Sequence, residues 1–319
     1  MKSRLRTPED LRLFRAASSV ATLASAAGIE TPCEARELTA RPFAELLADY
    51  QKLMDAYPAG ASLFRAFLQL HEIENLKLGW RAAARSLPVN RWAHLWKPFG
   101  RHETLRLSRW REAASLRDAV SCARGTPYEE IARDAFRAHE ADEAAAELAF
   151  DRWAWSSLVA EARRLPRREG EAKRLALSRV RERDFDALRR AIPSYGLSAD
   201  AAGASTVLLR EEESPERLRG LAEWTPGAGP LARELPRLLS LTLPAAGGWD
   251  DLFLALRRQR REDCLRAFRG YPFRLAPPLA YLLLREEENR GYSALAESRG
   301  KPETAPSLER VLAASAMSG

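Results

Sequence analysis

The chain has 319 residues, room for two or three ordinary domains, and 46% of them are apolar, which excludes wholesale disorder. Its formal charge is +7, a balance that permits contact with nucleic acid, anionic lipid or an acidic protein and selects none of them. The opening MKSRLRTPEDLRLF is charged and lacks the apolar core of a signal peptide. The longest nearly continuous apolar run, Leu275 to Leu284, is half a membrane span and carries two prolines, so a soluble, cytoplasmic chain is expected.

In chain order, helical periodicity dominates. A helix is expected over 35–56. In 63–87 apolar residues fall at Phe64, Phe67, Leu70, Ile73, Leu76, Trp80, Ala83 and Leu87, one stripe on a helix of about six turns. The stretch 129–165 reads as helix, and so do 249–269 and 279–299. Strand signals are weak; STVLLR (205–210) is the best candidate, and it is short. Pro and Gly punctuate the chain at KPFGR (97–101), ARGTPYEE (123–130), AIPSYGL (191–197), WTPGAGP (224–230), LPAAGGWDD (243–251) and RGYPF (269–273). Ser214–Pro215 is a cap followed by Pro at the first helical position. The last residues, AASAMSG, are expected to fray. The fold class is all-α.

Shifting the chain against itself reveals a repeat. LQLHEIENL (68–76) aligns with LLLREEENR (282–290) at an offset of 214, so that Glu72 meets Glu286, Glu74 meets Glu288, Asn75 meets Asn289 and Phe67 meets Tyr281. At an offset of 112 lies RVRERDFDALRRA, where Asp184 falls on Glu72 and Asp186 on Glu74, while Ala187 replaces the Asn. One helix type carrying acid-x-acid thus occurs three times. The simplest expectation is three similar helical bundles, 1–107, 108–210 and 211–319, in a pseudo-threefold arrangement around a hollow.

HEIEN resembles the start of a zinc-peptidase helix, but that helix needs a second His where Asn75 stands, and the other copies have Arg183 and Arg285 in place of His71. His94, His102 and His139 offer no zinc spacing either. Cys33, Cys122 and Cys264 are odd in number, far apart and without CxxC, so they read as reduced, mostly buried small hydrophobes. Glu72 and Glu74 diverge around a helix by about 200° and cannot converge on one substrate atom. For the individual charges the default is local pairing: Glu74 with Lys77, Asp186 with Arg189 or Arg190, Glu286 with Arg290. In REEENR (285–290), six consecutive polar residues beside a solidly apolar run predict a helix that leaves a core and exposes its middle turn to a cavity or another protein. The basic run Arg163 to Arg183 reads as a solvated helix face, with phosphate binding as the alternative. Trp92, Trp96 and Trp110 read as core rather than base-stacking platforms. No Walker A motif, GxGxxG or nucleophile elbow occurs.

Four stretches carry a resemblance to a known family: HEIENLKLGWRAA, ARGTPYEEIARDAF followed by ELAFDRWAWSSLV, RVRERDFDALRRA, and YPFRLAPPLAYLLLREEENRGYSALAESRGK. In this order they resemble the C-type subunits of A/V-type rotary ATPases, equivalent to the d-type subunits of the vacuolar enzyme. The chain departs from the family pattern in a shorter opening helix, in Ala187 and in its arginine load. The resemblance implies three helical domains forming a funnel, a central-stalk connector that sits on the membrane proteolipid ring and receives the central shaft, and peripheral contact with the inner face of the membrane. It implies one copy per complex, a monomer in isolation, coupling to proton or sodium transport, and neither bond chemistry nor a cofactor, metal or nucleic-acid partner. It carries candidate binding roles to Glu72, Glu74, Asn75, Asp184, Asp186, Glu286, Glu288 and Asn289. The alternative from another class is a stand-alone helical adaptor or RNA-binding protein using its arginine-rich faces.

Overall fold

The computed structural model describes Leu5 and residues 35–139, 142–195, 198–222 and 249–299. Cys33, the opening segment, the break at 224–230 and the C-terminal AASAMSG lie outside these residues. Among the described residues every regular element is a helix and there is no strand, as an all-α chain requires.

The longer helices are α1 (Ala35–Ala56), α2 (Ala61–Ala84), α3 (Leu116–Cys122), α4 (Glu129–His139), α5 (Glu143–Arg164), α6 (Gly170–Tyr195), α7 (Ala199–Ala204), α8 (Pro215–Ala222), α9 (Trp249–Ala267) and α10 (Ala276–Arg299). Local chemistry explains their ends. Pro215 stands first in α8 and the Ser214 hydroxyl accepts from Arg217 N. The expected helix 129–165 is two helices, because Asp142 caps a fresh start by accepting from Ala145 N at 2.9 Å. Gly125, at φ +73°, makes the left-handed turn that precedes α4. The break expected at 191–197 comes late: α6 continues to Tyr195.

STVLLR is not a strand. Its residues form the reversal that leaves α7, and the backbone N–H groups of Val207, Leu208 and Leu209 all point at one carboxylate, that of Asp184. An isolated β-rich run with no partner strand has nothing to pair with, and an acceptor placed here satisfies its donors instead.

The chain divides into two compact units, 62–161 and the combination of 1–61 with 162–319. In the smaller unit α2 is buried on nearly every side, which extends its apolar stripe to Glu72, Asn75 and Lys77. Trp80, Trp92, Trp96 and Trp110 are all buried. The Trp96 ring lies 6.1 Å from both Trp92 and Trp110, and Trp80 meets Phe150 edge-on at 5.1 Å. These tryptophans are core. Alongside them runs an antiparallel ladder between α2 and α5: Lys77 to Asp151 (2.9 Å), Arg81 to Glu147 (2.7 Å) and Arg85 to Glu143 (2.7 Å). Each step forward by four on one helix is a step back by four on the other. Such pairs contribute only about 0.2–1 kcal/mol each; what they fix is register.

In the larger unit, α6 pairs antiparallel with α9 through Arg257 and Arg260 on Glu182. Helix α10 pairs antiparallel with α1, the first helix among the described residues: Tyr281 donates to Asp49 at 2.6 Å and Arg285 reaches Glu45 and Asp49. Each of the three acid-x-acid helices therefore has an antiparallel partner, α5 for α2, α9 for α6 and α1 for α10, and α10 packs against α6 and α9 as well. The partner of the last is supplied from the N-terminal side, so the helix pairs cut across the three contiguous segments.

Gly79 is where α2 approaches Trp110 most closely; a Cβ there would meet Trp110 Cε3 at 2.3 Å. Gly79→Ala is expected to cost about 1–3 kcal/mol through overpacking, read as a lowered midpoint in denaturant unfolding and a changed near-UV tryptophan signal.

Candidate functional site

The eight candidate residues fall on α2, α6 and α10, and the structure sorts them by position within each copy. The first acid is buried in all three. Glu72, 3% exposed, accepts from Thr104 N and Oγ1 (both 2.7 Å), Leu105 N (2.9 Å) and the Tyr128 hydroxyl (2.8 Å). Asp184, fully buried, accepts from Val207 N (3.0 Å), Leu208 N (2.7 Å), Leu209 N (3.0 Å) and Arg183 (3.1 Å). Glu286, also buried, accepts a short hydrogen bond from the Tyr50 hydroxyl. Burial, and then the Glu72 charge, holds the Tyr128 phenol well above its ordinary value; burial and Glu286 do the same to Tyr50. Burial also raises the Asp184 carboxyl, although Arg183 and the backbone donors pull it down.

The second acid is more exposed in the first copy than in the others, and it is locally paired in all three. Glu74 meets Lys77 at 2.6 Å and Asp186 meets Arg189 at 3.2 Å, as local pairing predicts. Burial alone would lower the Lys77 ammonium, but Asp151 and Glu74 outweigh it and the net shift is upward. In the third copy the expectation of an exposed polar turn is overturned. Arg285, Glu286 and Glu287 are buried, and Glu288 is drawn in by a 2.9 Å bond from Arg285. The turn is sheltered because α1 brings Glu45, Asp49 and Tyr50 against it and α9 brings Arg260 toward Glu287. The pairing expected of Arg290 with the Glu286 side chain is instead a contact from Nε to the Glu286 carbonyl at 3.4 Å.

The Asn position is a backbone clamp in the first copy. The Asn75 amide donates to Lys97 O (2.7 Å) and accepts from Lys97 N (2.9 Å). This is the chemistry at the place where a zinc peptidase would carry its second His. In the second copy Ala187 makes no such clamp. In the third, Asn289 Oδ1 is buried without a hydrogen-bond partner among the described residues.

Sequence reasoning missed the charges around these turns. Glu182 is buried with Arg257 and Arg260, and Arg179 is half-buried, its guanidinium pushed well below the ordinary range by desolvation and then by Arg290 and Arg260. The signal was present in the apolar spacing of α6, on whose inner side Arg179 and Glu182 lie. Part of the basic run is engaged, Arg163 with Glu211, Arg181 with Glu212, and Arg183 with Asp184 and Ser205 O, while Arg167 and Arg168 stand exposed.

A second feature lies in the larger unit. The segments that precede the three acid-x-acid helices meet around one open depression of about 470 Å³. Its walls are Ala56 to Ala59, Arg168 with Glu169, and Tyr271 with Phe273 to Leu275. Glu169 ties two of these segments together, accepting from Leu275 N at 2.9 Å and facing Arg274 at 3.7 Å.

Among the described residues no three His, Cys, Asp or Glu side chains come together as a metal set, and the polar groups that converge do so on backbone donors. Such an arrangement defines an all-helical chain whose buried charges hold loops. The model of the ATP synthase (C/AC39) subunit family matches residues 25–300, and the chain belongs to that family, an accessory rather than catalytic part of V/A-type ATPases. No curated protein matches the chain. Among the described residues no helix is long and apolar enough to cross a membrane.

Asp184→Ala leaves three buried N–H groups unsatisfied and is expected to cost more than about 3 kcal/mol, read by thermal unfolding. The two tyrosines set an alkaline limit. Their folded pKa values lie above the unfolded value of 10.0, so their contribution is complete below pH 10 and is lost as pH rises from there toward the folded values. Stability should fall by about 1.4 kcal/mol per pH unit for each tyrosine in that window, and Tyr50→Phe or Tyr128→Phe should remove its share of the slope in a pH series of unfolding curves.

Proposed function

We propose that the chain is the central-stalk connector of a V/A-type rotary ATPase, seated on the proteolipid ring, receiving the shaft and coupling ring rotation to the catalytic head during ion transport. In this reading the three acid-x-acid helices and their antiparallel partners are three bundles closed about a common axis into a funnel. The observation that carries it is the cyclic pairing of α2 with α5, α6 with α9 and α10 with α1, alongside family membership over 25–300. The meeting of the three preceding segments at one depression supports the same axis.

The work of such a part is mechanical. Torque passes through it only if its loops keep their places, and the buried first acids, Glu72, Asp184 and Glu286, supply that stiffness. Asn75 assists by clamping Lys97, and Asn289 is its counterpart by position. The second acids are then the members of the set offered to neighbours: Glu74, whose side chain is 46% exposed, foremost, with Asp186 (22%) and Glu288 (14%) at the margin. No observation favours the RNA-binding alternative, since much of the arginine run is engaged in internal pairs.

A tagged chain purified from native membranes in mild detergent should bring proteolipid and shaft subunits with it, identified by mass spectrometry. Glu74→Lys should fold with stability within about 0.5–1 kcal/mol of the native chain and co-purify less of both. Recovery of neither partner with the native chain would defeat the reading.

A further inference from the structure

We propose that the turn between α9 and α10, from Arg269 to Arg274, with Arg167 and Arg168 beside it, is a contact for the anionic phospholipid headgroups of a membrane surface. Tyr271 is 64% exposed and Phe273 77% exposed, and their rings meet edge-on at 5.5 Å, so they stand together as one aromatic wedge. They are the large apolar side chains that the larger unit leaves exposed among its described residues. Arg274 reaches over Tyr271 at 5.9 Å. Arg167, Arg168 and Arg269 are exposed and make no ion pair among the described residues. The acids nearby are already engaged: Glu169 is buried on Leu275 N, Glu171 faces Arg174 at 3.8 Å, and Asp263 faces Arg266 at 2.7 Å.

Charge complementarity calls for an anionic surface, and the aromatic pair calls for one with an apolar layer just beneath it. A headgroup boundary offers both: Tyr, Trp and basic side chains concentrate there because one end of each is apolar and the other wet. A stable protein interface needs roughly 800 Å² on each side with a desolvated apolar centre. Two rings among arginines, with only small exposed side chains such as Ala56, Pro58, Ala59 and Pro272 beside them, do not supply that centre. The membrane-bound setting rests on the connector reading, but the contact itself is a property of the isolated chain.

The full chain is mixed with vesicles of phosphatidylglycerol and phosphatidylcholine in equal parts, or of phosphatidylcholine alone, and the bound fraction is read by co-sedimentation across a salt series. The expected result is salt-sensitive binding to the anionic vesicles only. Tyr271→Ser with Phe273→Ser, and separately Arg167→Gln with Arg168→Gln and Arg269→Gln, should each weaken it on the order of tenfold or more with the circular dichroism unchanged. Arg65→Gln with Arg91→Gln and Arg106→Gln removes the same charge elsewhere and should weaken it far less. Absence of binding to anionic vesicles, or equal losses in the two arginine triples, overturns the proposal. So does native-like vesicle binding by the aromatic variant combined with loss of co-purifying ATPase components, which assigns the turn to a protein partner. Vesicle binding by a chain that recovers no ATPase components from membranes would instead remove the connector reading and leave the lipid contact standing.

Discussion

A carboxylate taken out of water is costly unless the protein returns the hydrogen bonds it loses. In this chain that demand is met with the chain's own backbone. Asp184 faces three consecutive N–H groups, and Glu72 faces two with two hydroxyls added. Each acid sits mid-helix and holds a segment that arrives 20 to 35 residues later, after the rest of its own helix and the connection that follows. The same bond serves both parties: the loop obtains an acceptor for donors that no helix satisfies, and the acid regains hydrogen bonds that it lost on leaving water. With that bond in place, the path of the chain after α2 and after α6 is set.

The rest of the architecture follows from how the long helices find partners. Between α2 and α5 the register is written in alternating charge, with three ion pairs stepping along the seam beside the Trp80–Phe150 contact. Between α6 and α9 it is written deeper, with Glu182 buried against two arginines. Between α10 and α1 it combines a tyrosine on each helix with an acid on the other: Tyr281 donates to Asp49 and Tyr50 donates to Glu286. The charges select alignment more than they add stability, since an exposed pair contributes little and a buried one must first offset its desolvation.

Much of this was legible in the sequence, and the reason is local. Apolar spacing located α1, α2, α9 and α10 to within a few residues because one buried face imposes a 3.6-residue period wherever the partner lies. The repeat located the three polar turns. What periodicity could not reveal is what stands opposite. REEENR reads as exposed because nothing within the chain nearby could shelter it; Glu45, Asp49 and Tyr50 are more than two hundred residues away. STVLLR is the best of the weak strand candidates because β-propensity describes a residue's liking for a pleated surface, and the described residues offer no such surface. Glu72 and Asn75 look like members of a polar face on α2, yet Thr104 and Lys97 come back over them. The depression walled by three separate segments left no trace in any one of them.

The pairing of α1 with α10 has a consequence for synthesis. A ribosome delivers α1 among the first helices and its mate among the last, so Tyr50, Leu46 and their neighbours leave the exit tunnel long before Tyr281 and Glu286 exist to cover them. Translation at about 5–20 residues per second makes that wait a matter of tens of seconds. Throughout it the nascent polypeptide carries an uncovered oily strip, and a trigger-type chaperone, or simply haste in the codons between, becomes part of what the topology demands.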